Sequence, residues 1–173
     1  MATTYELIAS SSLANNTTNT VTFSSIPQTY TDLKLVISAR SDVTGQQYAN
    51  IVMQPNGATT NLSDKNLFTI NGTSAGSGGD NEMVIGQAAT GDQTANVFGN
   101  SEAYIPNYTG SNYKSSSMDG VNENNATAAA VTMFAGLWQN TAAITSLDIK
   151  FLSGSGTNFK QYSTFYLYGI KNS

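Results

Sequence analysis

The run Leu33-Lys34-Leu35-Val36-Ile37-Ser38-Ala39-Arg40 decides the fold. Leu33, Leu35, Ile37 and Ala39 alternate with Lys34, Val36, Ser38 and Arg40. A period of two marks a strand that turns one row of side chains into a core and the other toward water. The same period recurs on both sides. Val21 and Phe23 alternate with Thr20, Thr22 and Ser24, while Leu147, Ile149 and Phe151 alternate with Ser146, Asp148 and Lys150. Tyr5, Leu7 and Ala9 give a weaker version. Val131–Trp138 (VTMFAGLW) and Phe165–Ile170 (FYLYGI) are apolar on both faces, which predicts central strands packed between two layers or against a neighbour. Ala126–Leu137 is the main helix candidate because of its alanines. Its Thr, Val and Phe residues, Gly136 and the lack of a helical stripe favour a strand.

Breakers separate these runs: Pro27, Asn56-Gly57, Asn71-Gly72, Gly91-Asp92 and Gly154-Ser155-Gly156. Thr73–Gly79 (TSAGSGG) is small and polar and reads as an exposed loop. Roughly ten short strands without helical pattern predict an all-β, single-domain antiparallel β-sandwich, jelly-roll-like, over residues 1–173. The middle, about 56–125, is rich in Gly, Asn, Ser and Thr. Its apolar pieces are short: Leu67–Ile70, Met83–Ile85, Val97-Phe98 and Tyr104-Ile105. They are expected as short strands joined by long loops at one end of the sandwich, where partner contacts concentrate.

Composition limits the chemistry. The 173 residues are 39% hydrophobic and only 10% charged, with 7 Lys+Arg, 11 Asp+Glu and a net charge of −4. The chain contains neither His nor Cys. That excludes a Ser-His-Asp triad, a His-bound metal, a thiol nucleophile and a disulfide. No cofactor and no metal is expected. Arg40 is the lone arginine, so binding nucleic acid through its phosphates is not expected. No apolar run approaches the roughly 20 residues that span a bilayer, so no membrane association is expected. Met1–Ser12 shows no basic segment followed by an apolar one, and no signal peptide is read there.

Glu82 with Asp80, Glu102, and Asp119 with Glu123 are the only candidates for paired-carboxylate glycosidase chemistry. Without evidence of a cleft they read as solvated loop charges. Tyr104, Tyr108 and Tyr113 lie close in sequence to Asn107 and Asn112. Rings beside amides suit glycan or protein contacts, or simple packing over their own loop. Tyr162, Thr164, Tyr166 and Tyr168 are expected on one strand face, as core or a subunit contact. A surface this poor in charge fits a chain that lies against neighbours, because charged residues are depleted at interface cores.

Two stretches carry a resemblance. Thr3–Arg40, with Ser24-Ser25-Ile26-Pro27-Gln28-Thr29-Tyr30-Thr31-Asp32-Leu33-Lys34-Leu35, resembles small structural proteins encoded by tailed phages, notably cyanophages and related marine phages. The close, Ala143-Ile144-Thr145-Ser146-Leu147 through Ser163-Thr164-Phe165-Tyr166-Leu167-Tyr168-Gly169-Ile170-Lys171-Asn172, resembles the same group. The resemblance implies a virion component, made in the host cytoplasm, with a phage capsid or tail protein as partner. It also implies homo-oligomers, a trimer being favoured, and carries over no functional residues. The expectation is therefore a non-enzymatic virion structural protein, first of all a capsid decoration (cement) protein that stabilises the shell by burying area. The strands around Tyr5–Ser24 are the expected contact surface, through addition to a neighbour's sheet edge. The alternative is a tail-fibre or tail-tip receptor- or carbohydrate-binding module that works through Tyr104, Tyr108 and Tyr113. A glycan-cleaving enzyme comes last.

Overall fold

The computed structural model describes residues 4–79, 81–123 and 129–171. These residues form twelve strands and no helix. In chain order they are β1 (Tyr5–Ser12), β2 (Thr20–Phe23), β3 (Asp32–Ala39), β4 (Ala49–Pro55), β5 (Leu62–Ile70) and β6 (Thr73–Ser77). Then come β7 (Val84–Ala88), β8 (Gly99–Ile105), β9 (Lys114–Glu123), β10 (Ala129–Trp138), β11 (Leu147–Phe151) and β12 (Thr164–Ile170). The protein is an all-β sandwich of two antiparallel sheets.

Its winding follows from which strands pair. β1, β2, β3 and β4 pair in turn with β12, β11, β8 and β7, so the chain behaves as one long hairpin. Rolling that hairpin up brings β12 beside β3 and β11 beside β4. The order β1-β12-β3-β8 then faces β2-β11-β4-β7, which is the double-sheet arrangement of a jelly roll. Two further hairpins, β5–β6 and β9–β10, pair with each other through β5 and β10. They extend the first sheet to eight strands, β1-β12-β3-β8-β9-β10-β5-β6.

Alternation supplies the core, as the opening run implies. Leu33, Leu35 and Ile37 of β3 and Phe165 and Leu167 of β12 point inward, against Ile51, Met53, Leu147 and Ile149 of the smaller sheet. Phe159, between β11 and β12, is fully buried, with its ring centroid 4.2 Å from that of Phe151 and 4.9 Å from that of Phe165. Each buried aromatic of this size contributes several kcal/mol (about 3–5 on truncation to Ala).

Toward β9 and β10 the two layers close up on small residues. A Cβ on Gly86 of β7 would overlap Ser101 Oγ of β8, and one on Gly136 of β10 would sit 2.6 Å from Ser116 Oγ and 2.9 Å from Met83 Cε. At both positions a neighbouring side chain lies against the glycine backbone, and glycine is the residue that permits it.

The middle of the chain differs from the sequence expectation. It holds five strands, β5 to β9, two of them among the longest in the molecule. In β9 the inward row is Lys114, Ser116, Met118, Gly120 and Asn122. Around Ser116 and Gly120 there is little room for Val or Leu, so this stretch of the inward row is written in small residues. Thr73–Ser77, expected as a loop, is edge strand β6, held to β5 from Asn66↔Ser77 to Ile70↔Thr73. Val97-Phe98, expected as a strand, lies outside one. In β10, Thr132, Phe134 and Trp138 are buried while Val131 and Met133 are 52% and 60% exposed. One face is covered within the chain and the other is left open.

Gly86→Ala should lower stability by about 1–3 kcal/mol, the usual cost of overpacking. Ser101→Gly in the same chain should recover part of that loss. Urea unfolding midpoints of the two single variants and the double variant measure this; additive losses would mean that the clash is not with Ser101.

Candidate functional site

The loop between β8 and β9 does not gather its tyrosines into one surface. Tyr108 is fully buried and its hydroxyl donates to the Pro27 carbonyl. It is a core residue, which corrects its expected role as a partner or glycan contact. The ring plugs the end of the sandwich. Tyr104 is 39% exposed, and its hydroxyl donates to Asp32 Oδ2 at 2.7 Å. The Asn107 amide donates to Asp32 Oδ1 at 2.8 Å. Asn107, Asn112 and Tyr113 are exposed. The Lys114 ammonium lies beneath them, fully buried, donating to the carbonyls of Asn112 at 2.6 Å and Gly110 at 2.7 Å. Burial lowers its pKa. The segment is a loop wound around a buried cation, with Tyr104 and Tyr113 as its accessible rings.

The carboxylates are dispersed. Glu102 faces Asp119 across β8 and β9 and pairs with Lys34 at 2.6 Å, all on the open side of the large sheet rather than across a cleft. Glu123 stands further along β9. Asp80 lies outside the described residues. Glu82 neighbours Asp64; burial first, and then the Asp64 charge, raise its pKa. Among the described residues, no three carboxylates are grouped as a metal site.

That open side of the large sheet is broad. One rung of it runs Leu7, Tyr168, Lys34, Tyr104, Ser117 and Ala135 across six strands. The next carries Tyr166, Val36, Glu102, Asp119, Met133 and Leu67. Tyr166 and Tyr168 stack 6.5 Å apart. Leu7, Leu67, Val121, Val131 and Met133 are each about half exposed or more. Both rows were legible as strands, but their outward apolar residues were not assigned to one face.

A recess lies at one end of the sandwich, and Arg40 builds it. The arginine follows β3 directly and is 9% exposed. Its guanidinium donates to four backbone carbonyls of a single loop: Thr94, Val97 and Gln93 at 2.9 Å and Gly91 at 3.3 Å. Its own carbonyl accepts from the Lys160 amide at 2.8 Å, and its amide donates to Ser163 Oγ at 3.2 Å. Burial lowers the guanidinium pKa, but arginine stays charged throughout the working range. One residue therefore fixes both the 91–97 loop and the 160–163 turn. With Asn16, whose Oδ1 accepts from the Gln161 amide at 2.8 Å, they border an open recess of about 250 Å³ lined by Arg40, Asn96, Phe98, Lys160, Gln161 and Tyr162, among others. Tyr162 is not part of β12. It is a turn residue with φ of 72° and is 71% exposed. The signal for this site in the sequence is the lone arginine.

No protein-family description, curated protein or solved structure matches the chain.

Two measurements probe these arrangements. Arg40→Met removes a cation that serves four carbonyls, each hydrogen bond to a charged group being worth about 1.5–3 kcal/mol. It should lower Tm sharply and increase hydrogen exchange in residues 91–97; exchange unchanged there would mean that the loop holds itself. Glu82 has a raised folded-state pKa, so it contributes stability below its unfolded pKa that is lost as pH rises through the folded value. Glu82→Gln should therefore raise Tm at about pH 7 and give no gain near pH 3, below both values.

Proposed function

We propose that this chain is a virion structural protein that acts by fitting against its neighbours, first of all as a capsid decoration protein. The observation that carries the reading is the open side of the eight-stranded sheet. Eight strands at about 4.8 Å spacing span roughly 38 Å, and strands of this length give a face on the order of 900 Å². That matches the roughly 800 Å² that each partner contributes to a standard stable interface. The face combines exposed Leu67, Val121, Val131 and Met133 with a nearly balanced charge set, Lys34 and Lys65 against Glu102, Asp119 and Glu123. Such a surface adheres by burying apolar area, with little dependence on salt.

The resemblance of the Thr3–Arg40 and Ala143–Asn172 stretches to tailed-phage structural proteins supports the same reading. So does the placement of the N-terminal strands. β1 is an edge of the large sheet and β2 an edge of the small one, so both can add to a neighbour's sheet. The partners are a capsid or tail protein and further copies of this chain, with three-fold grouping the arrangement that the resemblance implies. A tail-fibre or tail-tip module is the second reading, on the same fold.

The test is attachment to phage particles lacking the protein, located by electron microscopy. Attachment should survive high salt, and Met133→Asp should weaken it at least about tenfold, since burying such a side chain is worth about 1.5–3 kcal/mol. Release at modest ionic strength, or a Met133→Asp variant that attaches normally, would overturn the proposed surface. Density at the tail tip rather than on the shell would favour the second reading.

A further inference from the structure

We infer that the recess beside Tyr162 is a binding subsite for a single acidic sugar residue, stacked on the Tyr162 ring with its carboxylate toward Lys160. This inference is independent of the virion reading, because it uses neither the open sheet face nor the strand edges.

Four observations converge on it. The first is the backbone at Tyr162. Among the described residues, eight that are not glycine have positive φ: Ser25, Asn56, Asn61, Asn71, Asn81, Asn96, Asn107 and Tyr162. Asn tolerates that conformation well because its short side chain bonds locally, whereas a bulky residue is strained there. The chain meets the demand with Asn six times and with Tyr once. Packing does not explain the exception, because the ring is 71% exposed. A strained residue that presents a large flat ring to solvent marks a place where the ring itself is used.

The second is charge. The recess is lined by two of the chain's seven cations, Arg40 and Lys160, and, among the described residues, by no carboxylate. Arg40 is bound to loop carbonyls but keeps its positive charge. Among the described residues the Lys160 ammonium makes no hydrogen bond or ion pair. In an acidic protein, this is a local positive field over a concave surface, and it favours an anion.

The third is the rest of the lining. Asn16, Asn96 and Gln161 bring three amides, each able to donate and accept, around the ring. An aromatic face with surrounding amides matches the alternating apolar and hydroxyl faces of a pyranose. The fourth is size. About 250 Å³ falls below the roughly 300–1,000 Å³ of sites that enclose a drug-sized ligand, so one sugar ring fits and an oligosaccharide would extend into solvent. The floor is preorganised, because the Arg40 guanidinium and backbone hold both walls before any ligand arrives.

Saturation-transfer NMR on the full chain, with glucuronate and glucose as probes and inorganic phosphate added as a competitor of the glucuronate signal, tests this. Glucuronate should bind in the millimolar range, more tightly than glucose and with contacts from its C–H face. Tyr162→Gly should weaken it about tenfold, in keeping with the loss of one ring contact. The same change relieves the positive φ and should leave Tm equal or higher, which separates a ligand-binding ring from a structural one. Lys160→Gln should abolish the preference for glucuronate over glucose. The proposal is overturned if neither sugar gives a signal at tens of millimolar, if equimolar phosphate displaces glucuronate and Tyr162→Gly leaves the glucuronate signal unchanged, or if Tyr162→Gly lowers Tm.

Discussion

A guanidinium enclosed by four backbone carbonyls holds the end of this sandwich together. Placing a charge in a protein interior is costly unless it is fully hydrogen-bonded. Arg40 meets that condition without a carboxylate partner. The same device recurs. Lys114 serves the carbonyls of the 110–112 turn, and Asp32 accepts from the Tyr104 hydroxyl and the Asn107 amide. Burial opposes ionisation of Asp42, but hydrogen bonds from Asn158 and Thr157 outweigh it and hold its pKa below the usual value. Several of a small stock of charges are thus used inside, each as an organiser of one loop. Among the described residues the ion pairs are Lys34–Glu102 and Lys171–Glu6, both at the surface.

Fold class was legible because the rolled hairpin is built from strands whose inward rows are apolar. β2, β3 and β11 show their period in plain Val, Ile, Leu and Phe, and β12 reads as a strand through its continuous apolar run. The two inserted hairpins hid theirs. Beneath β9 the layers close on Ser, Gly and Asn, so the rule equating inward with apolar fails where the interior is thinnest. β6 carried even less signal, since Thr-Ser-Ala-Gly-Ser has no apolar row at all and is a strand only because β5 offers it a ladder.

The candidate sites were less legible, for a related reason. Tyr104, Tyr108 and Tyr113 are neighbours in sequence, but a strand end, a buried plug and a loop tip send them to different places. The recess draws Asn16, Arg40, Asn96 and Lys160 from four separate segments. No local pattern announces such a convergence. Beside the lone arginine its mark is a tyrosine at positive φ, a backbone property that side-chain chemistry does not reveal. The two surfaces also differ in kind: the sheet face is wide, flat and nearly neutral, while the recess is small, concave and cationic.

The pairing of outermost strand with outermost strand has a consequence for biogenesis. Tyr5 finds its partner only at Ile170, so the large sheet cannot acquire its β1 edge until residue 170 has left the ribosome. Such long-range closure makes for slow folding. Until then β1 is a nascent strand without a template, exposed to capture by sister chains on a crowded polysome.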